Sequence, residues 1–83
     1  MNITLPDLGS PAVVSLWYVQ SGERVFELDR VVEVLIPGAT FDVASPATGI
    51  LRDRFVQPND PVAFGQILGE ISTDEPRGLS SRS

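Results

Sequence analysis

The chain has no cysteine and no histidine, and all six of its basic residues are arginine, so lysine is absent too. Without cysteine there are no disulfides and no thiolate metal sites, and the sequence carries no mark of its redox compartment. Without His, Cys or Lys, none of the eight serines has a usual activating base. Positive charge is scarce as well: eleven acidic residues against six basic ones leave a net charge of −5 over 83 residues. A nucleic-acid binder concentrates positive charge, and this chain does the reverse. The same imbalance disfavours an anionic membrane surface. No apolar run approaches the ~18 residues of a spanning helix. The opening MNITLPDLGS has neither a basic region nor a long apolar one, so it does not read as a signal peptide. These absences make a cytoplasmic setting the expectation.

What is present points to one small β domain. An apolar share of 42% is too high for a disordered chain. A chain this short buries ~60–65% of its unfolded surface, enough for one core and no separate catalytic domain. The apolar pattern has period two almost everywhere. It marks strands over 2–5, 12–19, 30–36, 39–44, 50–56 and 66–72, with loops at PDLGSP, QSGE, SPATG and QPNDP. Short strands at close, even spacing mean a small sandwich or barrel. We expect the domain to occupy 1–74 and residues 75–83 to be a disordered tail or linker stub.

A weak internal repeat sharpens that expectation. Laying VQSGERVFELDRVVEV (19–34) over VQPNDPVAFGQILGEI (56–71) brings Val19, Gln20, Val25 and Glu33 onto Val56, Gln57, Val62 and Glu70. Each half reads as strand, polar turn, short apolar stop, strand. The pattern predicts two similar halves related by a pseudo-twofold axis.

The stretch VVEVLIPGATFDVASPATG predicts a hairpin closed by Pro37-Gly38. A two-residue loop sets Ile36 against Ala39, Leu35 against Thr40, Val34 against Phe41, Glu33 against Asp42 and Val32 against Val43. Val32, Val34, Ile36, Ala39, Phe41 and Val43 then share one apolar face, and Glu33, Thr40 and Asp42 the other. A one-residue slip would turn the apolar set to water, so the pattern specifies the register. Phe41 is expected in the core beside Val34. Pro37 presets φ and Gly38 takes positive φ, which suits a type II turn, although that turn twists against the ideal hairpin.

At these residues the chain resembles a lipoyl or biotinyl carrier domain, over about Ile3 to Ile71. LPDLGS resembles the opening of lipoyl domains from acyltransferase subunits of 2-oxo acid dehydrogenase complexes. WYVQSGERV matches their Trp, polar turn and Val; LDRVVEV stands where the family has a Gly-Asp step. TFDVASPATGIL matches the strand, Ser-Pro corner and Gly after the modified hairpin. The resemblance implies an all-β fold, a flattened barrel of two four-stranded antiparallel sheets. It also implies a tip of Asp-Lys-Ala, whose Lys amine takes lipoate or biotin in an amide bond. Here Pro37 stands for the Asp, Gly38 for the Lys, and Ala39 is retained. Amide formation needs a nucleophilic amine, and Gly38 has none, so neither lipoate nor biotin is expected as a cofactor.

Other features have ordinary readings. Trp17 reads as core packing, and Glu23, Glu27, Asp29 and Glu33 as a solvated rim. The PND at 58–60 lacks the ligand count and loop glycine of a calcium site. Arg52 and Arg54 around Asp53 read as the solvent face of a strand. The loop with Asp7, Leu8 and Gly9 reads either as an ordinary polar crossover or, by resemblance, as the loop that in lipoyl domains lies beside the modified hairpin and helps a partner dehydrogenase recognise it. Leu35 should point outward, and with Ile36, Pro37 and Leu8 it could form a small apolar patch of the kind that marks contacts. The reading is therefore a non-catalytic lipoyl-like interaction or structural module, tied to a dehydrogenase-complex subunit or to its own copies. The alternative is a carrier domain of an acyltransferase subunit whose modified lysine was lost or replaced.

Overall fold

The computed structural model describes residues 1–73; the expected tail at 75–83 lies outside them. Eight strands follow in order: β1 (Asn2–Thr4), β2 (Ala12–Trp17), β3 (Arg24–Val25), β4 (Arg30–Ile36), β5 (Ala39–Ala44), β6 (Gly49–Arg54), β7 (Pro61–Val62) and β8 (Ile67–Ser72). They form two four-stranded sheets, ordered β1-β8-β6-β3 and β5-β4-β2-β7, with every pairing antiparallel. β-branched residues dominate the inward positions, as suits a pleated, half-buried surface. Val14, Val31, Val32, Val34, Leu51, Leu68 and Ile71 are wholly buried between the sheets. Each such side chain contributes roughly 1.5–3 kcal/mol of burial.

The repeat is the fold's construction rule. Shifting the chain by 37 residues carries β2 onto β6 and β3 onto β7, and exchanges the two sheets. Hydrogen bonds follow: Gly22 N–H donates to Leu51 C=O at 2.8 Å, and Asn59 N–H donates to Val14 C=O at 2.8 Å. The Glu23 carboxylate accepts Gln20 N–H at 2.7 Å, as Asp60 accepts Gln57 N–H at 2.8 Å. These carboxylates close turns. Left-handed backbone repeats too: Gly22 (φ 96°) matches Asn59 (φ 79°), and Leu28 (φ 77°) matches Gly65 (φ 82°). At the last pair, one half has the glycine the conformation favours and the other a leucine.

Trp17 packs against the core cluster, and its Nε1–H donates to Val56 C=O at 3.0 Å. Its ring approaches Gly69, where an added Cβ would stand 3.1 Å from the indole. Three expectations are corrected. Strands 12–19 and 50–56 each end sooner, at Trp17 and Arg54, because the chain turns away toward the short strands β3 and β7. Phe41 does lie opposite Val34 but is 37% exposed. β5 is an edge strand, and among the described residues no strand pairs with its outer flank. Arg54 does not share a plain solvent face with Arg52. A bulge between Leu51 and Asp53 breaks the alternation, and the half-buried Arg54 places its guanidinium over the Trp17 ring, 5.9 Å from the centroid.

Candidate functional site

The candidate site is the β4–β5 hairpin and the loop beside it. All five expected pairs, from Ile36↔Ala39 to Val32↔Val43, are present. Pro37 and Gly38 make the loop, and Gly38 has φ 78°, close to what the third position of a type II turn needs. A Cβ built on Gly38 meets nothing within 4 Å, so position 38 faces open space. The tip is accessible. The N-terminal amino group is engaged on the other sheet, where it donates to Ile71 C=O at 3.0 Å.

The loop is drawn beside this tip by strand pairing. Val13 of β2 lies opposite Leu35 of β4, and continuing that register brings Pro11 level with Pro37. Within the loop, Gly9 N–H donates to the Asp7 carboxylate at 3.0 Å, and Gly9 takes φ 72°. This is an Asx turn, a local bond that replaces a backbone turn. It leaves Asp7 exposed and turns Leu8 inward, half-buried against the core.

The expected apolar patch divides. Leu35 is 45% exposed, on the outer face beside Val13 and Thr40. Ile36, the next residue in a pleated strand, turns the other way and packs with Leu8 against the core cluster. Pro37 and Ala39 are exposed at the tip. Of the three aliphatic side chains Leu35, Ile36 and Leu8, Leu35 alone faces out. Its neighbours are Val13 and, beyond it, Pro61 of β7.

A polar cluster covers the rest of that outer face. Tyr18 O–H donates to Asp42 Oδ1 at 2.9 Å and lies 3.5 Å from Glu33 Oε2. Arg30 Nη1 is 3.4 Å from Asp42 Oδ2, and its guanidinium lies over the Tyr18 ring, 5.5 Å from the centroid. The hydrogen bond to Asp42, then partial desolvation and the two carboxylate charges, raise the Tyr18 pKa above the ordinary tyrosine value. Such exposed ion pairs contribute little stability. The Glu33–Asp42 pair was legible in the hairpin pattern; Tyr18 and Arg30 were not, because one bulge between Val14 and Leu16 shifts the β2–β4 register and another between Arg30 and Val32 shifts the β4–β5 register.

Two pseudo-equivalent four-stranded sheets, with a two-residue hairpin tip held clear of the core, define a lipoyl-type β domain. The Biotin_lipoyl family model, described as "Biotin-requiring enzyme", matches residues 1–74, and the chain belongs to that family. It is 34% identical over 74 residues to the dihydrolipoyllysine-residue succinyltransferase component of the 2-oxoglutarate dehydrogenase complex of Buchnera aphidicola subsp. Schizaphis graminum. That match covers 86% of this chain and 19% of the relative, so the chain spans about a fifth of that protein's length. The lipoyl domain of the 2-oxoglutarate dehydrogenase complex of Azotobacter vinelandii has the same fold. It gives a TM-score of 0.69 at 19% identity, covering 88% of this chain and 99% of that one.

Proposed function

We propose that this chain is a non-catalytic lipoyl-type domain that carries no lipoyl or biotinyl arm and works through protein contacts at its hairpin tip. The observation that carries this reading is Gly38 at the tip, in a chain whose basic residues are all arginine. The position is open to solvent, and Gly38 offers no amine there. Carriers need a polar, mobile tip so that the arm can visit several active sites. Here Pro37 stiffens the turn and Leu35 presents an apolar group beside it. Pre-ordered apolar groups lose less entropy on association than a flexible tip. The net charge of −5 favours a basic partner surface. The succinyltransferase relative supports a subunit of a 2-oxo acid dehydrogenase complex as that partner.

The test is binding of the domain to purified dehydrogenase subunits of a 2-oxoglutarate dehydrogenase complex, beside Leu35→Glu. Leu35 faces out, so the variant should fold and melt like the wild type. Binding by the wild type that Leu35→Glu weakens by about tenfold or more supports a tip contact. Equal binding by both proteins shows the tip to be only a turn.

A further inference from the structure

The two sheets have four edges, and three are closed by their sequence. β1 is three residues long, bulged between Ile3 and Thr4, and followed by Pro6. β3 is two residues and begins with Arg24; β7 is two residues and begins with Pro61. Short strands, bulges, prolines and cations are the usual means of blunting an edge. The fourth edge, β5, has none of them from Ala39 to Val43, the only irregularity in its pairing falling beyond, between Arg30 and Val32 of β4. It is six residues, ATFDVA, without proline, glycine or cation, and it pairs with β4 in unbroken register from Ala39 to Val43. Its pseudo-equivalent is the short β1, so the open edge belongs to one half only.

Ladder geometry tells which of its groups are free. In a two-residue hairpin the residues flanking the loop, Ile36 and Ala39, form a hydrogen-bonded pair, and the pattern alternates along the strands. Ala39, Phe41 and Val43 therefore bond to β4. The N–H and C=O groups of Thr40 and Asp42 point away from the sheet.

We propose that this edge pairs antiparallel with the same edge of a second copy, Thr40 opposite Asp42 of that copy and Phe41 opposite Phe41, giving a symmetric dimer. This inference does not rest on the missing lysine. A twofold dimer requires a self-complementary surface, and β5 is one in this register. The outward backbone groups of Thr40 and Asp42 all find partners. On the outer face the Thr40 hydroxyl, a donor, lies beside the Asp42 carboxylate of the other copy. Asp42 already accepts from Tyr18 and Arg30, but a carboxylate has acceptor capacity to spare. On the inner face the two Phe41 rings meet at a non-hydrogen-bonded pair, where side chains approach most closely. That contact covers a ring now 37% exposed, in an aromatic pair of the kind that stabilises sheets. The competing registers are worse. A one-residue slip faces free backbone groups with groups already bonded to β4. A two-residue slip sets Asp42 on Asp42 of the other copy, like charges directly opposite, or runs the ladder into the turn.

Sedimentation equilibrium of the domain tests this, with Thr40→Asp, Thr40→Lys and Thr40→Pro beside the wild type and thermal melts as the folding control. The wild type should dimerise weakly, within a range reaching about 1 mM, as expected of a small interface. Thr40→Asp places a carboxylate against Asp42 twice per dimer and should weaken association by about tenfold. Thr40→Lys places a cation there instead and should tighten it several-fold. Thr40→Pro removes an outward N–H and should abolish it; if that variant fails to fold, the Asp and Lys pair decides alone. A wild type that stays monomeric to about 1 mM overturns the proposal. So does a dimer indifferent to all three substitutions, or one lost in Leu35→Glu and unmoved by Thr40→Asp, which would place the interface on the tip face.

Discussion

Replacing Gly49 with alanine would set a Cβ 2.0 Å from the Ser72 carbonyl oxygen and 2.8 Å from Ile71 Cγ2. Carbon contacts normally lie at about 3.5–4.0 Å, so relieving the 2.0 Å approach would part β6 and β8 by roughly 1.5 Å or more. Gly49 pairs with Val25, and the next residue, Ile50, pairs with both Arg24 and Ser72. Moving β6 therefore disturbs three strands of one sheet. Overpacking of this kind costs about 1–3 kcal/mol, and each ladder bond lost adds about 1 kcal/mol. Together these give roughly 2–4 kcal/mol against the ~5–10 kcal/mol a domain of this size possesses. Urea unfolding followed by the fluorescence of Trp17, the single tryptophan, measures the loss by linear extrapolation. Gly22→Ala is the control. A Cβ there meets nothing within 4 Å, but φ is 96°, so only backbone strain of about 1 kcal/mol is at stake. A loss for Gly49→Ala below about 1 kcal/mol, or no larger than the control's, would refute close strand approach as the reason for that glycine.

Phe41→Ala should cost about 1–2 kcal/mol in the same assay, below the 3–5 of a buried phenylalanine, because the ring is partly exposed. Its wholly buried partner Val34 should cost more on truncation to alanine, about 2–3 kcal/mol, and the reverse order would contradict the edge position of β5. Leu28→Gly should stabilise the fold by up to about 1 kcal/mol: it relieves left-handed strain, is partly offset by a looser unfolded chain, and removes a side chain that is 76% exposed. A loss above about 1 kcal/mol in that variant would show that Leu28 makes contacts its exposure does not reveal. An absorbance titration should place Tyr18 above the ordinary tyrosine value, since the neutral phenol is the form that donates to Asp42. Its contribution to stability is then complete below the unfolded-chain value and lost as pH rises through the folded one. Asp42→Ala should bring the midpoint down, and an unchanged midpoint would contradict the assigned hydrogen bond.

The hairpin could be read residue by residue because its alternation is strict: a slip of one would have exposed Val32 and Val34. The repeat matched Val25 with Val62 as short apolar stops, where the structure has the two short strands β3 and β7, and matched the equivalent turns through Gln20 and Gln57. Alternation gives the face a side chain takes but not the place of its strand within a sheet, and this is why Phe41 was expected inside. Bulges hid the rest. The one in β2 carries Tyr18 to Asp42, two strands away, and the one in β6 turns Arg54 over Trp17. At the tip, alternation gave the parting of Leu35 from Ile36, but the inward turn of Leu8 depends on how the loop packs.

The reading of Gly38 is tested most directly by mass. The domain is incubated with lipoate ligase or biotin ligase, ATP and the cofactor, with an authentic lipoyl domain as the positive control, and weighed intact. We expect no gain in mass while the control is modified to completion. Gly38→Lys alone should restore little, since φ 78° strains any side chain there and Pro37 departs from the family's acidic residue. A stoichiometric gain on the wild-type hairpin, mapped to residues 35–39, would contradict the account.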